Sequence, residues 1–122
     1  MIYLKWEHFD VKRKRFILVR TERGGGKHNE KFLLTDTYET VLDRCKKIFW
    51  SQRKNPNSFG KEHDTEFYLV DSRKDVIERM ITKDNVHIQF TVGSFISKDT
   101  LSRATIFLRT RNKFAFLNSR SI

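Results

Sequence analysis

Residues 36–50 read DTYETVLDRCKKIFW, and Tyr38, Val41, Leu42, Cys45, Ile48 and Phe49 fall in them at i, i+3, i+4, i+7, i+10 and i+11. That spacing draws one apolar stripe along a helix of 3.6 residues per turn. Asp36 can cap the first turn with its carboxylate, and Glu39 can reach back to the N–H of the cap, which makes a capping box. Asp43, Arg44, Lys46 and Lys47 take the opposite side. The spacing therefore predicts one amphipathic helix over residues 36–50, with a wet back and its stripe laid on an apolar layer.

The sequence on either side of the helix reads as strands. Residues 2–9 (IYLKWEHF) are rich in aromatic and β-branched types, and residues 15–21 (RFILVRT) carry apolar side chains for both faces of a central strand. Gly24, Gly25 and Gly26 mark a tight turn, after which residues 28–34 resume as a third strand. Beyond the helix, residues 51–64 (SQRKNPNSFGKEHD) hold the only proline in a polar run and predict a long exposed loop. Residues 66–70, 86–92 and 104–110 read as further strands, with a short helical turn near 95–101. Phe114, Phe116 and Leu117 alternate in a tail, residues 112–122, that can dock in part. An amphipathic helix must bury its stripe against one sheet face, so layer logic predicts an α+β fold, a mixed sheet packed on the one long helix. The chain order is that of the β-grasp plan.

At 122 residues the chain fits one domain, and eleven Phe, three Tyr and two Trp offset a modest apolar content of 38%. A single cysteine rules out an internal disulfide and suits a reducing, intracellular setting, cytoplasmic or nuclear. The first ten residues hold Lys5, Glu7, His8 and Asp10 where a signal peptide would be apolar, and no 18-residue apolar run exists, so no membrane insertion is expected. The net charge is +10, concentrated at the chain ends. Residues 1–30 carry eight basic and four acidic groups, and residues 101–122 five and none. Such a surface is drawn to nucleic acid, anionic membranes or acidic protein faces.

Trp6, His8 and Phe9, Val19 and Arg20 followed by the three glycines, the helix end CKKIFW, then FGKEHD and YLVD together resemble a ubiquitin-like domain of the kind found N-terminally in many animal proteins, over residues 2–111. The resemblance implies a ubiquitin-like β-grasp fold and an interaction or regulatory role, and it brings no catalytic residues. Members of that family typically show LFFP-x-G after the helix, where this chain has IFWSQRKNPNSFG. The chain does not end in the Gly-Gly of a conjugated modifier, so covalent attachment by that route is not expected.

Constellations that would carry chemistry have plainer explanations. Cys45 lies on the apolar stripe, where a thiol behaves as a small hydrophobe. His8, His28, His63 and His87 show no pair at metal-ligand spacing, and Asp71, Asp75 and Glu78 sit beside Arg73, Lys74 and Arg79 as a solvated turn. Lys27 after the glycines is not followed by the Ser/Thr and helix of a phosphate-binding loop. No catalytic residue, cofactor or metal is expected. The recurrent feature is basic: Lys12, Arg13, Lys14 and Arg15 in one run, Arg20, Arg23 and Lys27 around the glycines, and Arg109, Arg111 and Lys113 at the last strand. If the chain ends meet in the sheet, these clusters form an anion-binding patch, with Tyr3 or Trp6 available for stacking on bases. Two functions are expected from this, a noncatalytic protein-interaction module for an acidic partner, or a nucleic-acid-binding module using the same patch. The KRKR run also fits a nuclear import signal.

Overall fold

The computed structural model describes residues 2–81, 84–98 and 104–114. Strand β1 (Ile2–Asp10) lies at the centre of the main sheet. Along one edge it pairs antiparallel with β2 (Arg15–Leu18) and then with the short β3 (His28–Glu30). Along the other it runs parallel to β7 (Thr105–Asn112), whose far side pairs antiparallel with β4 (Thr65–Val70). The fold is thus α+β with a mixed sheet. A separate hairpin joins β5 (Arg79–Ile81) to β6 (His87–Gln89).

Side chains alternate across a strand, so Ile2, Leu4 and Trp6 share a face with Ile106, Leu108 and Leu69 of the neighbouring strands. All six are buried, against Val41, Cys45, Phe49 and Trp50 of the helical segment. Trp6 is the hub of this core, its ring 4.7 Å from Phe59 and 6.1 Å from Trp50. Burying such rings supplies a large share of the driving force in a chain of this size.

The helix over 36–50 is present in two geometries. Residues Tyr38–Cys45 form α1, and Lys46–Trp50 continue as a π-helical turn closed by the Ser51 N–H donating to Lys46 O at 2.9 Å. The wider turn has a packing reason. Phe49 and Trp50 are adjacent yet both buried, and neighbours on a regular α-helix would point about 100° apart. The cap also differs from the expectation. Thr37 caps α1, its Oγ1 accepting from the Thr40 N–H at 3.3 Å, while Asp36 Oδ2 accepts from the Leu33 N–H in the preceding turn.

Other expected elements are shorter than the apolar runs that suggested them. The strand over 15–21 ends at Leu18 and is an edge strand, and the one over 28–34 ends at Glu30. Val92 leaves the expected strand over 86–92 to start helix α2 (Val92–Lys98), held by the Val92 N–H donating to Asp36 O and the Gly93 N–H to Leu34 O. Residues 99–101 of the expected helical turn and residues 115–122 of the tail lie outside the described residues. The polar loop over 51–64 contains two single-turn 3-10 helices and sinks Phe59 into the core. No helix among the described residues is long and apolar enough to cross a membrane.

Candidate functional site: a basin between two basic turns

Two turns flank the end of the sheet where β1 passes into β2. In the first, Asp10 Oδ1 accepts from the backbone N–H groups of Lys12 at 2.9 Å and Arg13 at 3.1 Å, so the carboxylate closes the turn and its pKa is held down, chiefly by the Arg13 hydrogen bond. In the second, residues 19–27 fold back on themselves. The N–H groups of Arg23 and Gly25 both donate to Arg20 O, and Gly26 donates to Val19 O. Gly25 makes this knot sterically feasible, since a Cβ there would stand 2.0 Å from Val19 O. Gly24 and Gly26 have φ of +101° and +90°, in the left-handed region that favours glycine. The knot is tied to the long loop by the Lys54 N–H donating to Arg23 O. The glycines therefore pin a compact knot to the loop and do not make the tip of a simple hairpin.

Between the turns lies a basin of about 650 Å³. Its apolar floor includes Ile17, Val19 and Phe59, and its rim carries Lys12, Arg13, Arg20 and Arg23. Arg23 is positioned by stacking, its guanidinium carbon 4.8 Å from the centroid of Phe59. Among the described residues none of the four makes an ion pair, and the only carboxylate lining the basin is Asp10, which is already engaged in its turn. Four cations thus gather around an apolar floor with little compensating charge.

His8 also lines the basin, and a hydrogen-bond chain ties its ring to the core. The Trp6 Nε1–H donates to Thr110 Oγ1 at 2.9 Å, and the same hydroxyl hydrogen-bonds His8 Nδ1 at 2.7 Å. Burial, with the nearby Arg23 guanidinium, lowers the His8 pKa to about 4, while Asp10 acts in the opposite sense. The ring stands edge-on to Phe59 at 5.0 Å.

The remaining basic candidates are elsewhere. Lys14, with φ of 56°, and Arg15 are exposed at the tip of the first turn. Arg109 and Arg111 point to the opposite sheet face, where each has an acidic partner. Arg109 Nε donates to Glu7 Oε1 at 2.9 Å, and Arg111 Nε to Glu66 Oε2 at 3.0 Å. Lys113 Nζ donates to His63 O at the start of β4, and Lys27 lies over the Tyr3 ring at 4.6 Å towards the other end of the sheet. The ten candidates thus divide among the basin, the turn tip and the outer face. Stacking on bases finds no support in this arrangement. Trp6 is fully buried, and on the outer face cations lie over the rings of Tyr3, Phe16 and Phe107.

Sequence reasoning missed His8, Ile17 and Phe59 as parts of a site. Phe59 could have been found, as the one aromatic in a polar loop next to a glycine, which marks a side chain turned inward. Cys45 is fully buried on the stripe, and burial raises its pKa, so its thiol is a poor nucleophile near neutrality. No family model matches the chain, and no curated protein or solved structure matches it.

Proposed function

We propose that the chain is a noncatalytic protein-interaction module of the ubiquitin-like, β-grasp kind, which docks an acidic partner surface on the basin. The observation that carries this reading is the gathering of Lys12, Arg13, Arg20 and Arg23 around one apolar-floored hollow without ion pairs among the described residues. The fold half of the reading is supported by the strand order β2-β1-β7-β4, with parallel central strands and one amphipathic helix entering after the first antiparallel pairings. A rim of cations without ion pairs among the described residues steers an acidic partner and selects against basic ones. An intracellular setting, cytoplasmic or nuclear, goes with a lone reduced thiol at Cys45.

The test is a fluorescence-anisotropy titration of the chain against a labelled polyglutamate peptide and against labelled single- and double-stranded DNA, at low and at physiological ionic strength. The expected result is peptide binding that persists at physiological salt and is weakened by Arg20→Ala combined with Lys12→Ala. DNA binding that survives physiological salt with a steep salt slope, while the peptide does not bind, would replace this reading with the nucleic-acid one.

A further inference from the structure

Resting on the docking reading above, we infer that the outer edge of β2, which borders the basin, is a strand-addition site. An extended acidic segment of the partner pairs with the backbone of Phe16 and Leu18 and lengthens the main sheet by one strand. Its carboxylates meet the cations of the two turns that flank β2.

The backbone defines the edge. In an antiparallel pair a residue turns both its N–H and its C=O either towards the neighbouring strand or away from it, and the two directions alternate. The Val19 N–H donates to Trp6 O at 2.9 Å, which places Trp6, and with it His8 and Asp10, on the side of β1 that faces β2. The Tyr3 N–H donates to Ala104 O just before β7, as the same alternation requires. His8 pairs with Ile17 and Asp10 with Arg15, so Phe16 and Leu18 turn their N–H and C=O groups outward. Among the described residues no hydrogen bond reaches these groups, and no strand lies beside β2 on that side. Two donors and two acceptors thus stand in a row, with a repeat of roughly 7 Å. The opposite edge of the sheet is already engaged. At β4 the Leu69 N–H donates to Tyr38 Oη at 3.0 Å, Leu69 O accepts from the Ile77 N–H, and the Thr65 N–H donates to Glu62 O.

The charge around the edge selects the occupant. Lys12 and Arg13 stand on the turn before β2, the exposed Arg15 is its first residue, and Arg20 and Arg23 follow it. Pairing with a second copy through this edge would bring two such sets of cations together, and charged edges resist self-association for that reason. An acidic strand instead gains counter-charge at both of its ends, while main-chain pairing supplies affinity. The mode needs no side-chain pocket. Leu18, 47% exposed, adds apolar contact for one partner side chain.

The experiment varies the peptide and leaves the protein intact. The acidic probe is an end-blocked, labelled peptide with two carboxylate residues at each end and valine, threonine and valine between them. One comparison peptide is N-methylated at the three central residues, which keeps every side chain and removes the central amide donors. Another carries side-chain amides in place of the carboxylates. Anisotropy titrations are run at physiological ionic strength, and amide hydrogen exchange of the protein is followed by NMR with and without the acidic probe. The N-methylated peptide should bind roughly ten- to a hundredfold more weakly than the acidic probe, as the loss of two hydrogen bonds predicts, and the neutral one should bind weakly. The amides of Phe16 and Leu18 should exchange faster than those of Ile17 and Val19 in the free protein and become protected when the acidic probe binds. Equal binding of the acidic and N-methylated peptides, with Phe16 and Leu18 left unprotected, would overturn strand addition while leaving acidic docking intact. Protection of β4 amides in place of those of β2 would overturn the assignment to this edge. Equal binding of the neutral peptide would remove the acidic occupant, and failure of both the acidic probe and polyglutamate to bind would overturn the docking reading itself.

Discussion

Trp6 Nε1 and Thr110 Oγ1 stand 2.9 Å apart, fully buried on neighbouring parallel strands and separated by 104 positions in sequence. Through them the core and the basin share one hydrogen-bond chain, since the same hydroxyl reaches His8. Thr110→Val keeps the shape of the side chain but removes both the acceptor for Trp6 and the hydrogen-bond partner of His8 Nδ1. Leaving the indole N–H buried without an acceptor should cost about 1–3 kcal/mol in urea denaturation, whereas Thr110→Ser, which restores the hydroxyl, should recover most of it. Equal losses in the two variants would mean that the methyl group, and not the hydrogen-bond chain, is what matters.

The depressed His8 pKa makes stability pH-dependent. The ring titrates near 6.5 when unfolded and near 4 when folded, so above pH 6.5 it is neutral in both states and its contribution is complete. As pH falls through that window the unfolded chain takes up the proton first, and stability drops until the folded ring titrates as well. The loss should be on the order of 2–3 kcal/mol between the two ends. His8→Phe keeps a ring against Phe59 but cannot titrate. Its stability should therefore fall less steeply than that of the parent chain as pH is lowered from 6.5 to 4.5, measured by chemical denaturation at a series of pH values. Parallel curves for the two proteins would assign the pH dependence to the carboxylates.

Gly25 and Gly60 separate two reasons for needing glycine. At Gly60, φ is +85° but the space is open, with Asn112 Nδ2 the nearest atom at 3.9 Å, so Gly60→Ala should cost about 1–2 kcal/mol of left-handed strain. At Gly25 an added Cβ meets the Val19 carbonyl carbon at 2.6 Å and its oxygen at 2.0 Å, and backbone atoms cannot turn aside. Gly25→Ala should break the hydrogen bonds to Arg20 O and Val19 O that close the knot and cost more than about 2 kcal/mol. It should also lower acidic-peptide affinity, because Arg20 and Arg23 lose their fixed positions. Thermal melts and the anisotropy titration read the two effects separately.

Periodicity made the core stripe legible. Tyr38, Val41, Cys45 and Phe49 are buried as their spacing requires, and the α+β layering follows from that stripe and the strands around it. It could not reveal the π-helical turn, because the need to bury adjacent Phe49 and Trp50 arises from what Trp6, Phe59 and Phe67 leave room for. The cap moved from Asp36 to Thr37 for a similar reason. Asp36 is used by a turn that also presents its carbonyl to α2, a partner 56 residues away in sequence. The basic residues were visible one by one, but their grouping was not. Which of them keep free charge depends on strand register, which sets Arg109 beside Glu7 and Arg111 beside Glu66, and on a glycine knot that brings Arg20 and Arg23 back towards Lys12 and Arg13.

The clasp around Glu7 shows what that register does to charge. Glu7 is nearly buried on the outer sheet face, with Lys74 Nζ 2.9 Å from one carboxylate oxygen and Arg109 Nε 2.9 Å from the other. The two cations are not equivalent. The Lys74 side chain is 38% exposed and reaches in from the loop after β4, whereas that of Arg109 is 16% exposed and also lies 4.0 Å over the Phe16 ring. Lys74→Ala should therefore cost no more than about 1 kcal/mol, the range of a solvent-screened pair. Glu7→Ala leaves Arg109 largely buried without its counter-charge and should cost about 2–3 kcal/mol. The same substitution also separates the two faces functionally. Removing the only carboxylate between these cations raises the positive potential of the outer face, so a nucleic-acid site there would bind DNA more tightly in Glu7→Ala. A partner docked in the basin, on the other side of the sheet, would bind with unchanged affinity. Anisotropy titrations of the one variant with both probes distinguish these outcomes, and tighter DNA binding that persists at physiological salt would move the functional surface to the outer face.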